Sequence, residues 1–337
     1  MFYPTERKNI VQGAALTNSA VNRFSNIFPL DGTGWTKLIL TFNATVDWTD
    51  AAVVDRRGIF RYIKGISLKT SRGETIVDNV CGQALFIAKA IMSGAFPVYD
   101  VIRQADGTYR AVIEIYFAMP FLNRPEDTIF DSGRYSNLEL SITTGSVLDL
   151  LNDATGESVS MTVDITVERT LSAITPDGKG KPYMHAYYRQ YGPQVISAQK
   201  HFDLESSLDL GLFGFALKLA ATGVTAPFDG AGVDNLLHLT FEDSVRTWVD
   251  RATPFGLKQE LHNACVFDPG NIYIATPAAG EAITYPLLGV YPHLFVKNGS
   301  INEHYPTGKK SMIRVSFDDA TTTDIANLVV WGFRALR

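Results

Sequence analysis

The sequence predicts an all-β chain built from two similar modules in tandem, each a β-sandwich or jelly roll with one flanking helix. Three observations carry that expectation. First, Val159, Met161, Val163, Ile165 and Val167 are apolar while the residues between them are polar, the period of a strand with one buried face. Second, this strand runs into Thr175-Pro176-Asp177-Gly178-Lys179-Gly180-Lys181-Pro182, where prolines remove backbone donors and nothing apolar is available to pack. A linker therefore falls near the middle of 337 residues, a length that one core rarely supports. Third, the flanking halves read in the same order: strand, strand, helix, strand, strand, final strand. The expected boundaries are an N-terminal arm at 1–20, a first module at 21–175, a linker at 176–182 and a second module at 183–337.

The arm is polar, with Arg7, Lys8 and only a short Ile10-Val11 pair, and reads as a short helix or a tail that orders against something else. From Trp35, the residues Leu38, Leu40, Phe42, Ala44, Val46 and Trp48 alternate with a face broken only by Ile39. Gly58 to Lys69 is a second β-rich run, closed by the turn at Ser71-Arg72-Gly73. The period then changes to three or four at Val77, Val80, Ala84, Ile87 and Ile91, with Gly94 as a stop, which predicts an amphipathic helix over 75–93. Strands resume after Asp106-Gly107, with Ala111, Ile113, Ile115, Phe117 and Met119 on one face. Leu138, Leu140 and Ile142 form another, and the strand from Val159 closes the half. Many short strands with a single helix exclude an α/β sheet.

The second half opens on the aromatic cluster Tyr183 to Tyr191, whose richness in tyrosine suits packing between domains or subunits. Leu208 to Leu219 and Asn235 to Phe241 are β-rich runs separated by a Gly-rich loop at 227–232. Pro254, Leu257, Leu261 and Ala264 to Cys265 have helical spacing, ended by Asp268-Pro269-Gly270. Further strands are expected around Ile272 to Ala275, Ile283 to Val296, Met312 to Phe317 and Asn327 to Phe333. Cys81 and Cys265 fall late in the two expected helices. A period this long means two copies of a domain, not a solenoid.

Composition and motifs exclude most chemistry. Net charge is −5 and basic residues occur only as isolated pairs, Arg56-Arg57 and Lys309-Lys310, so direct nucleic-acid binding is not expected. Charged residues are 19% of the chain, below the usual ~25%, as in a surface largely covered by copies of itself. The first residues lack a signal-peptide core and no stretch approaches a membrane span, so synthesis in the cytoplasm is expected. Cys81 and Cys265 have no metal-ligand spacing and read as buried free thiols. The histidines (His185, His201, His238, His262, His293, His304) all lie in the second half without ligand spacing. Asp318-Asp319 and Glu242-Asp243 are the carboxylate pairs that could hold calcium, and solvation is the simpler reading. No nucleophile elbow or phosphate loop occurs. The expectation is no catalytic site, no metal and no cofactor.

With its two β-rich halves, the helices at Thr75 to Ser93 and Pro254 to Cys265, the linker at Pro176 to Pro182 and the short N-terminal arm, the chain resembles the double jelly-roll major capsid proteins of tailless icosahedral viruses. That group includes tectiviruses, corticoviruses and, more distantly, the adenovirus hexon. Asn22-Arg23-Phe24-Ser25-Asn26-Ile27-Phe28-Pro29-Leu30, leading into the Trp35 strand, also resembles such coat proteins. The resemblance implies two eight-stranded jelly rolls, each with one flanking helix, and homotrimers whose six barrels give a hexagonal outline that tiles an icosahedral facet. It implies as partners the chain itself, neighbouring capsomers, spike, penton and minor capsid proteins, and an internal membrane. It also implies strands standing across the shell, with loops at 227–232 and 298–308 at one end. Phe2, Tyr3, Arg7 and Lys8 are then the candidates for contact with lipid head groups or neighbouring capsomers, and deleting the first fifteen residues is expected to spare trimers and impair shell assembly.

Two rivals follow from the same residues. A carbohydrate- or receptor-binding β-sandwich would need exposed aromatics on one face, for which Tyr183 to Tyr191 is the candidate. A glycoside hydrolase would need two carboxylates across a cleft, for which Glu114 and Glu139 could be nominated.

Overall fold

The computed structural model describes residues 5–48, 58–100, 102, 105–151, 157–170, 184–195, 200–220, 235–257, 259, 289–321 and 324–335. Phe2, Tyr3, the linker at 176–182, the loop at 227–232, Cys265 and the strand expected around Ile272 lie outside the described residues.

The first half contains β1 (Thr5–Leu16), β2 (Val21–Phe24), β3 (Gly34–Asp47), the short helix α1 (Gly58–Tyr62), β4 (Ile63–Thr70), β5 (Thr75–Val80), α2 (Gly82–Ser93), β6 (Gly107–Tyr116), β7 (Phe130–Asp131), β8 (Leu138–Thr144), α3 (Val147–Leu151) and β9 (Ser158–Thr170). The second half contains β10 (Met184–Val195), β11 (His201–Asp203), β12 (Leu210–Ala220), β13 (Leu236–Asp243), β14 (Thr247–Ala252), β15 (Val290–Leu294), β16 (Tyr305–Pro306), β17 (Ile313–Asp319) and β18 (Ile325–Ala335). First-half strands pair as β1-β9-β3-β6 and β2-β8-β4-β5; second-half strands pair as β10-β18-β12-β15 and β11-β17-β13-β14. Leaving aside the two-residue strands β7 and β16, each half reads first-eighth-third-sixth in one sheet and second-seventh-fourth-fifth in the other. This is the jelly-roll arrangement, present twice. A parallel contact between β5 and β10 fuses two of the four sheets into one that crosses both halves.

The repeat extends to irregularities. β7 joins β3 at Gly34↔Asp131 and Trp35↔Phe130, and β16 joins β12 at Gly211↔Pro306 and Leu212↔Tyr305. Just beyond, each third strand shifts register against the final strand, between Trp35 and Lys37 and between Leu212 and Gly214. The fourth and fifth strands pair at Ile66↔Val80, Leu68↔Val77 and Lys69↔Thr75 in one half, and at Leu239↔Ala252, Phe241↔Val249 and Glu242↔Thr247 in the other. Inside that bulge Asn79 and Arg251 are both left-handed, at φ 48° and 47°, a conformation that non-glycine residues seldom adopt. Their N–H groups donate to Ser67 Oγ at 3.2 Å and Thr240 Oγ1 at 3.3 Å. Two residues on, Cys81 Sγ accepts from the Ala84 N–H and Thr253 Oγ1 from the Gly256 N–H, each at 3.4 Å. Both therefore cap the start of a helix, of which residues 254–257 are described in the second half.

Several expectations are corrected by this geometry. Residues 75–80 form β5, and the helix begins at Gly82. The bulge at Asn79 shifts the alternation of Val77 and Val80 to a three-residue spacing that mimics a helix, so Cys81 is a cap and not a late helical residue. The helix is also not amphipathic: α2 is buried from Gly82 to Met92, Gln83 and Lys89 included. Residues 5–16, read as an arm, are an edge strand. Ile10, Val11, Ala14 and Leu16 pack on the first core, but register shifts between Asn9 and Ala14 break their alternation. Deleting the first fifteen residues would thus remove part of the fold. Gly58 to Lys69 starts as α1 before becoming β4. The 298–308 loop contains β16 and is tied to the first half, where Asn123 donates from its backbone to Gly299 O at 2.8 Å and from Nδ2 to Asn298 O at 2.9 Å.

The shared sheet explains α2. On β12 and β18, Phe215, Leu217, Leu328 and Val330 face the second core. Phe213, Ala216, Val329, Trp331 and Phe333 face the other way, into the core that also holds α2. All of β12 is buried, Lys218 included, which is why it reads as a continuous apolar run. On the opposite side of α2, Lys89 Nζ lies 2.5 Å from Glu114 Oε2, and Lys37 Nζ 2.8 Å from Glu114 Oε1.

Two outcomes follow. Trp331→Ala empties a fully buried site between the halves and is expected to cost roughly 3–5 kcal/mol in denaturant unfolding, against much less for half-exposed Trp248→Ala. Burial alone would raise the Glu114 pKa, but hydrogen bonds and charge from Lys37 and Lys89 outweigh it and lower the pKa from 4.5 to about 2. The folded value lies below the unfolded one, so this stabilisation is complete above pH 4.5 and lost as pH falls toward 2. The urea midpoint of the native chain should drop more steeply across that window than that of Glu114→Gln.

Candidate assembly surfaces

The contact between the halves is a built interface, and its parts are local. β5 and β10 pair in parallel at Val77↔Tyr188 and Asp78↔Arg189. Arg189 Nε lies 3.4 Å from Asp78 Oδ2, the Cys81 N–H donates to Gln190 Oε1 at 2.9 Å, and the Tyr188 hydroxyl donates to Tyr116 O at 2.7 Å. Behind them, Glu205 accepts from Arg189 Nη1 at 2.8 Å and from Arg334 Nη2 at 2.6 Å. Its pKa is lowered, because the arginines and the Tyr187 hydroxyl outweigh the burial that alone would raise it. Tyr187 and Tyr188 are each 1% exposed. Tyr187 and Tyr188 are therefore packing material and give no platform for a sugar ring.

The edges of the two halves that match β10 and β5 are β1 and β14. Among the described residues β1 pairs with β9 and β14 with β13. Arg7 and Lys8 are brought together on the exposed edge strand β1. Arg7 Nε lies 3.1 Å from Glu168 Oε2 with its own side chain 66% exposed. Glu168 is also 3.6 Å from Lys37. On the second half, Val245, Trp248 and Phe255 are exposed beside or on β14, Phe255 at 81%. Sequence reasoning missed β14 because its pattern, TWVDRA, has no buried face: four of its residues are exposed and none is buried.

Positions nominated for chemistry are occupied structurally. Glu114 is held between two lysines with a depressed pKa, the opposite of the raised value a glycosidic acid needs. Glu139 sits on β8 in reach of the Ser141 hydroxyl at 3.4 Å. Asp243 accepts from Trp248 Nε1 at 2.6 Å, from the Tyr305 hydroxyl at 2.7 Å and from two backbone N–H groups, and lies 3.2 Å from Lys310 Nζ. Among the described residues, no group of His, Cys, Asp and Glu is arranged to hold a metal ion. His185 lines a cleft with Glu74, Asp209 and Arg334. Burial pushes its pKa down, and its Nε2 stands 4.0 Å from Glu74.

No family model matches the sequence, and no curated protein matches it. Solved structures do match, over nearly the whole chain. The major capsid protein P2 of bacteriophage PM2 is 12% identical, with 99% of this chain and 98% of that one covered at a TM-score of 0.60. A chain in the atomic structure of Sulfolobus turreted icosahedral virus is 12% identical, with 98% and 91% covered at a TM-score of 0.68. The Faustovirus major capsid protein is 9% identical, with 100% and 91% covered at a TM-score of 0.51. Two jelly rolls in tandem, repeated strand for strand and matched end to end by these structures, give this chain the double jelly-roll fold of viral major capsid proteins.

Proposed function

We propose that this chain is the major capsid protein of an icosahedral virus, assembling as homotrimers into a shell around an internal membrane. The observation that carries the reading is the repeat itself. Two barrels with the same strand order and the same bulges, joined through a shared apolar layer, give a trimer six similar units and a hexagonal outline. The full-length likeness to major capsid proteins supports the same reading. Further partners are neighbouring capsomers and the spike, penton and minor proteins of the virion. Phe2 and Tyr3 are assigned to lipid, next to the exposed cations Arg7 and Lys8. The carbohydrate-binding reading loses its support with the burial of Tyr187 and Tyr188.

Light scattering on the purified chain should give three times its mass of 37.1 kDa, and concentrated protein should form hexagonal capsomers under the electron microscope. A monodisperse monomer that binds glycans would overturn the proposal.

A further inference from the structure

Among the described residues, the junction inside the chain has two halves elsewhere that pair with no second strand. Arg169 pairs with both Trp35 and Glu6, and Gly332 with both Leu212 and Tyr187. Trp35 and Leu212 are equivalent through their pairing with β7 and β16, so Glu6 stands where Tyr187 stands, Arg7 where Tyr188 stands and Lys8 where Arg189 stands. Asn9 then matches Gln190. On the receiving strand, the shared register of β5 and β14 makes Val249 equivalent to Val77 and Asp250 to Asp78, with Thr253 in the place of Cys81.

The chemistry of the filled junction is preserved at the unfilled one. A valine faces the incoming strand in both. The Asp78–Arg189 ion pair has its counterpart in Asp250 and Lys8, both exposed and opposite in charge. The carboxamide of Gln190, which accepts from the backbone of a helix cap, has its counterpart in Asn9, opposite the cap residue Thr253. Arg7 keeps a hydrogen-bond donor where the Tyr188 hydroxyl donates. One register step before the paired residues the equivalents differ, Ile76 against Trp248 and Glu6 against Tyr187.

We infer that β14 of one chain receives β1 of a second copy in parallel, with Arg7 opposite Val249, Lys8 ion-paired to Asp250 and the Asn9 carboxamide accepting from the Thr253 N–H. This deepens the capsid proposal and rests on its homotrimer. A head-to-tail contact of this kind closes a ring when the rotation per chain allows it, and each chain then adds one internal and one external junction of the same build.

The test uses the full-length chain. Lys8→Glu and Asp250→Lys are surface changes that should each weaken self-association at least ten-fold in dilution-series light scattering, while the double charge swap should regain most of the loss. Independently, Lys8→Cys combined with Asp250→Cys should give covalent dimers and trimers on mild oxidation, absent from either single variant. A wild-type trimer indifferent to the charge changes and yielding only monomer bands from the cysteine pair would overturn this junction and leave the capsid reading standing. A wild-type monomer would overturn both.

Discussion

A sheet that must stay dry on both sides is the constraint on which the rest of this chain depends. β12 and β18 carry large apolar residues on each face, and only one face can be covered by the second half itself. The other needs the first half, and α2 in particular. The demand runs both ways, since a helix buried around its whole circumference has no use outside such a gap. Covering apolar area at ~25 cal/mol per Å² makes this layer, and not the two-residue strand pairing beside it, the main bond between the barrels.

Much of the architecture was readable in the residues, and where it was not the cause is physical. β9 alternates cleanly because one face is core and the other is wet. β8 does the same. β1 escaped because its register slips between Asn9 and Ala14, so apolar residues that share one core no longer sit two apart. β5 reads as helix for the related reason that the left-handed residue Asn79 re-spaces its apolar positions. α2 reads as one-faced because nothing local reports that β6 covers Lys89 on one side while β12 and β18 close the other. Of the four nominated contact residues, Arg7 and Lys8 do lie on an exposed sheet edge. The edge they would meet is invisible in the sequence, since β14 has no buried residue and owes its existence to pairing with β13.

The bulges are what the two halves share where their residues differ. Leu212 stands in the place of Trp35 and Tyr305 in that of Phe130, with the same pairings. Asn79 and Arg251 differ in size and charge yet share one backbone conformation and one kind of hydroxyl acceptor. A hydrogen bond made by the backbone constrains where the chain turns, not which side chain turns there. Geometry of this kind outlasts residue identity.

The seam between β5 and β10 has a mechanical corollary. Among the described residues, two residue pairs and the Asn123–Gly299 hydrogen bond stitch the barrels along the backbone, whereas Phe213, Trp331 and Phe333 press on the first half through side chains. Close-packed interiors have low compressibility and transmit strain, so a load applied to one barrel passes to its twin chiefly through that side-chain layer.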